Sequence, residues 1–179
     1  MPITTTPSGG PQGEYSTYTP IYSTTLSANT SSVTISNIPQ TYTDLVLVAT
    51  ARRNIDNAGG AGTMIFNGVS SGSLYSTTIL YNSGNTLYSG RWSSVDGLYG
   101  GFATADGALA HSITHILNYS NSTTFKSYLG DRGQAGNDPR REFSIGTYRS
   151  TSPITSITLS AANDIKSGAT ITLYGVKAA

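Results

Sequence analysis

The sequence predicts an all-β sandwich or barrel, on three observations. Between Pro153 and Val176, Ile157, Leu159 and Ala161 alternate with Thr158 and Ser160, and Ala169, Ile171 and Leu173 alternate with Thr170, Thr172 and Tyr174. A period of two puts the aliphatic set on one face of a sheet and the hydroxyls on the other, so this reads as a buried antiparallel strand pair. Similar short runs recur along the chain, each closed by Gly, Asn, Asp, Ser or Pro, residues that accept turn backbone. No window has a convincing helical period, and strands in series without alternating helices favour a sandwich or barrel over a parallel α/β sheet.

The elements follow in order. Residues 1–18 hold Pro2, Pro7, Pro11, Gly9, Gly10 and Gly13 with few apolar side chains, too few to offset ordering entropy, and read as an extended N-terminal arm ahead of a domain spanning 19–179. Val33 and Ile35 alternate with Thr34 and Ser36 up to Pro39, which removes a ladder donor. Asp44 to Thr50 is apolar on both faces and predicts a central strand with cover on both sides. Met64 and Phe66 lead into Asn67-Gly68, a strong hairpin signal because both positions accept positive φ. Leu74 to Tyr81 and Thr86 to Trp92 flank a second turn at Asn82 to Asn85. Leu98 to Ala103 is interrupted by glycine, as in a bulged strand. His111, Ile113, His115, Leu117 and Tyr119 share one strand face. Asn118 to Asn121 turns the chain, and Phe125, Ser127 and Leu129 share a face on its return. Gly130 to Arg141, the most charged stretch, predicts an exposed loop. Phe143, Ile145 and Thr147 restart the alternation before the closing pair. That makes roughly nine to eleven short strands.

Composition narrows the function. Ten Lys and Arg against nine Asp and Glu leave a net charge of +1, and only 11% of residues are charged. Affinity for a phosphate backbone comes largely from many Lys and Arg contacts, so no nucleic-acid partner is expected. Cysteine is absent, which excludes a disulfide framework, a thiolate metal site and a thiol nucleophile. No stretch approaches the ~20 apolar residues of a membrane helix, and the opening residues lack the basic-then-apolar pattern of a signal peptide. The expectation is a protein made in the cytoplasm with no membrane partner.

Catalytic and metal constellations are weak. His111 and His115 lie four apart on a strand, roughly 13 Å, too far to share a metal without a bend. The Gly68-Val69-Ser70-Ser71-Gly72 string matches a nucleophile elbow, but that motif needs a strand before it and a helix after it. The acidic side chains show no pairing of the kind glycoside hydrolysis requires. The chain is read as no enzyme, with no catalytic residue, metal or cofactor. Binding residues are better represented. Tyr15, Tyr18 and Ile21 could anchor the arm on a partner, and Arg52-Arg53 could meet an acidic patch. Tyrosine outnumbers phenylalanine twelve to four, and Tyr88, Trp92 and Tyr99 form an alternative glycan-stacking set, since aromatic faces beside hydroxyls suit sugars as well as protein interfaces.

Ser31-Ser32-Val33-Thr34-Ile35-Ser36-Asn37-Ile38-Pro39-Gln40-Thr41-Tyr42-Thr43-Asp44-Leu45-Val46-Leu47 resembles small structural proteins of tailed bacteriophages. So do Ile157-Thr158-Leu159 and Ser167-Gly168-Ala169-Thr170-Ile171-Thr172-Leu173-Tyr174-Gly175-Val176. The middle of the chain lies outside the resemblance. It implies a jelly-roll-type β-sandwich and a virion location on the capsid surface, as a trimeric decoration (cement) protein. The implied partners are the major capsid protein and further copies of itself. A tail or fibre module is the alternative. Every resembling element is strand or turn, so the resemblance marks a scaffold rather than a site.

Overall fold

The computed structural model describes residues 17–54, 62–99, 109–134 and 139–177. Among them lie twelve strands and no helix: β1 (Tyr18–Thr25), β2 (Thr30–Ile35), β3 (Asp44–Ala51), β4 (Thr63–Phe66), β5 (Tyr75–Ser83), β6 (Thr86–Val95), β7 (Leu98–Tyr99), β8 (Ala110–Leu117), β9 (Lys126–Gln134), β10 (Arg140–Tyr148), β11 (Ile157–Ile165) and β12 (Thr170–Val176). They form two antiparallel sheets packed as a sandwich. The large sheet runs β1-β12-β3-β8-β9-β10-β5-β6 and the small one β2-β11-β4-β7. Setting aside the hairpins β5–β6 and β9–β10 leaves β1-β12-β3-β8 facing β2-β11-β4-β7, with the chain changing sheet at every step except from β4 to β7, which pair within the small sheet. That is the strand order of a jelly roll. The two hairpins widen one of its sheets.

The core sits between the sheets. Leu45, Leu47, Ile171 and Leu173 from the large sheet meet Met64, Phe66, Ile157 and Leu159 from the small one, each at most 1% exposed. An aromatic group ties the layers together. Tyr148 stacks on Tyr75 at 5.0 Å and meets Phe66 edge-on at 5.4 Å. The Tyr75 hydroxyl donates to the Val69 carbonyl (2.8 Å) and accepts from the Phe66 amide (3.0 Å). Nearby, the buried Lys126 ammonium donates to the carbonyls of Asn121 (2.5 Å), Thr124 (3.0 Å), Ser150 (3.3 Å) and Thr151 (2.7 Å), fastening two loops. Burial pushes that ammonium below the usual lysine range.

Four expectations change. The closing strands β11 and β12 are both buried but do not pair with each other: they lie in different sheets, as jelly-roll winding requires. Asn67 and Gly68 do take positive φ (53° and 68°), yet β4 and β5 also part into different sheets. The Asn67 side chain instead grips the far chain, donating to the Pro153 carbonyl (2.9 Å) and accepting from the Thr155 amide (2.8 Å). The charged stretch expected as a loop from Gly130 is strand as far as Gln134, and strand resumes at Arg140. Its charges are matched across β9 and β10, Arg132 to Glu142 and Asp131 to Arg141 (2.6 Å). Finally, β3 is central, between β12 and β8, but only its inner face is covered by the second sheet.

Candidate interaction surface

Side-chain alternation assigns residues to faces but does not say which face is inside, and on half of the large sheet the assignment is the reverse of the usual one. Along β10, Glu142, Ser144, Gly146 and Tyr148 are buried whereas Arg141, Phe143 and Ile145 are exposed. On β8, Ser112 and Thr114 point inward while Ile113 and Leu117 point outward. On β9, Tyr128 and Arg132 face in and Leu129 faces out, half exposed. Glycine makes this inside possible: a Cβ on Gly146 would stand 2.0 Å from the Tyr128 ring and 2.5 Å from the Ser76 carbonyl. The ring therefore lies across the β10 backbone, and its hydroxyl pairs with that of Thr77. Burial raises the Tyr128 phenol above the usual tyrosine range. Next to it Arg132 and Glu142 form a buried ion pair. Arg132 Nη1, Glu142 Oε1 and Ser112 Oγ lack hydrogen-bond partners.

The outer face is correspondingly apolar, and the register shows how continuous it is. One row crosses all eight strands as Pro20, Tyr174, Val46, His115, Leu129, Ile145, Thr78 and Arg91. The next row contains Val48, Ile113, Asp131, Phe143, Leu80 and Ser89. Directly opposed side chains lie ~5 Å apart, so these residues touch as a surface. A groove of about 440 Å³ is lined by Tyr18, Val46, Val48, Ile113, His115 and Tyr174. A second, of about 410 Å³, runs among Leu80, Leu129, Phe143 and Ile145. Contiguous exposed apolar side chains make this face a candidate interaction surface.

The binding residues expected from sequence are not gathered in one place. Tyr15 lies outside the described residues. Tyr18 opens β1 on the outer face, 48% exposed, with its ring edge-on to Tyr174 at 6.2 Å. Ile21 is partly buried and packs on the core. Arg52 and Arg53 follow the opposite end of β3, roughly 25 Å away along the strand. They do not form an exposed cationic edge, because Arg52 is half-buried and Arg53 is 6% exposed, bridged through its backbone to Ile165. In the alternative set, Tyr88 stacks on Tyr81 across the edge hairpin (5.2 Å, 18°). The exposed Trp92 ring lies over Gly90, within 2.4 Å of where a Cβ would stand. The Tyr99 backbone pairs with Thr63 in β7, and its side chain lies outside the described residues.

Among the described residues, several hydrolytic candidates have other partners. Asp131 and Glu142 are each engaged by an arginine. The Ser70 hydroxyl donates to the Asp96 carbonyl (2.9 Å). Among the described residues no three His, Asp or Glu side chains gather as a metal site would need. Sequence reasoning missed the outer face as a unit. The available signal was parity: on β10 glycine and a charge share the parity opposite to Phe143 and Ile145, and on β9 the charges Asp131 and Arg132 sit on both.

No family model matches the chain, and no curated protein and no solved structure is significantly similar to it.

Proposed function

We propose that the chain is a non-enzymatic structural protein of a tailed-phage virion, a decoration protein that binds the assembled capsid shell as a trimer and stabilises it. The observation that carries this reading is the apolar outer face of the large sheet. A chain with so few charges leaves aliphatic side chains outward on β8, β9, β10 and β5 while placing an ion pair inward. Such a surface is suited to being covered by protein. The virion assignment draws on the resemblance of the β2–β3 and β11–β12 segments, and the jelly-roll order is consistent with it. A protein that binds the assembled shell but not free subunits stabilises the shell by linkage. The test is to heat particles with and without the protein. The proposal expects a higher disruption temperature with it, and loss of that gain when residues 1–16 are deleted while β1 is kept. No difference between decorated and stripped particles would refute it.

The Tyr81–Tyr88 stack and Trp92 favour a second reading, a tail or fibre module that stacks sugars on the edge hairpin. A glycan array separates the two. Binding abolished by Trp92→Ala would support the fibre reading, and no glycan signal would retire it.

A further inference from the structure

We infer that the outer face of the large sheet is the contact between copies of this chain, resting on the reading of that face as an interface and naming its occupant. Three observations favour a second copy over an unrelated partner. The first is charge. Within the strands, the charged side chains on this face are Asp44, Asp131, Arg91 and Arg141, two acids and two arginines that cancel, and Asp131 is already paired with Arg141. A neutral face meets itself without like-charge repulsion. The second is shape. The same face carries both knobs and holes: Leu80, Leu129, Phe143 and Ile145 stand 44–56% exposed toward the β5 side, and the groove between Tyr174, Val46 and His115 lies toward the β1 side. The aliphatic ridge of one copy fits the groove of another, reciprocally in a twofold pair or head-to-tail around a closed ring.

The third observation is area. The two apolar rows span six strands, β12 to β5, at ~4.8 Å spacing and, lying two residues apart, about 14 Å along the strands, giving a footprint of roughly 400 Å² before side-chain relief. That is about half the ~800 Å² each partner buries in a standard interface, the size of a small reversible contact.

Sedimentation velocity of the full chain at about 100 µM tests this. The wild type is expected at two or three times the 18.7 kDa chain mass, and Leu129→Asp/Ile145→Asp at the monomer mass with an unchanged β-sheet circular dichroism spectrum. Thr34→Glu, on the outer side of the small sheet, should leave the oligomer intact. Should the double variant not fold, Phe143→Ser provides the same readout at an exposed site. A monomeric wild type would overturn the inference, as would an oligomer that survives Leu129→Asp/Ile145→Asp or one that Thr34→Glu disperses equally. A threefold mass supports the trimer of the decoration reading, and a twofold mass contradicts that trimer while sustaining this contact. Shell stabilisation is read independently, on particles, so the two claims fail separately.

Discussion

Glu142 and Arg132 occupy positions where a sandwich usually places aliphatic side chains, and their energetics are lopsided. Removing one partner strands a buried charge, whereas removing both relieves two desolvation costs. Glu142→Ala should therefore cost about 3–5 kcal/mol in urea unfolding, and Arg132→Met/Glu142→Leu distinctly less. A double variant as unstable as the single one would mean that the pair stabilises rather than merely tolerates its burial. Tyrosines make the alkaline limit. Burial pushes the Tyr75 phenol from 10.0 up to about 12 and raises Tyr119 and Tyr128 as well. A folded pKa above the unfolded one adds stability that is complete below pH 10 and is lost as pH rises toward 12. Melting temperature should accordingly fall across that window. Tyr75→Phe should start lower, having lost its bond to the Phe66 amide, but decline less steeply.

At the scale of elements, β10 and β12 make a useful contrast. Leu173 on β12 is fully buried against the small sheet, and Leu173→Ala should cost about 2–5 kcal/mol, read by chemical denaturation. On β10, Gly146→Ala adds a methyl group that meets both the Tyr128 ring and the Ser76 carbonyl. Because backbone cannot step aside as a side chain can, Gly146→Ala should destabilise as well, by about 1–3 kcal/mol. The alternation on β12 was legible in sequence because its inward residues are Ile171 and Leu173 and its outward ones are mainly hydroxyls. The same alternation on β10 was ambiguous. Phe143 and Ile145 look like core, and only the three-dimensional match of Gly146 to Tyr128 and of Glu142 to Arg132 turns them outward. The β5–β6 hairpin was legible for a local reason: Gly84, at φ 55°, supplies the turn backbone between Ser83 and Thr86. Asn67-Gly68 has equally good local chemistry, and long-range bonds to 153–156 redirect it.

For the whole molecule, strand existence and the sandwich class could be read from periodicity, whereas strand order could not. Which sheet receives β4, β11 or β12 depends on contacts between distant segments, such as Ile157 with both Ile35 and Phe66. The candidate surface was hidden for the same reason, since its rows are assembled from six separated strands. Tyr18 was identified and does lie on that face, but Arg53 was not foreseen as buried. Copy number in purified virions tests the proposed role as a shell component most directly. Quantitative mass spectrometry against the major capsid protein should find hundreds of copies per particle, in fixed proportion to the capsid lattice. A handful of copies, or none, would contradict it.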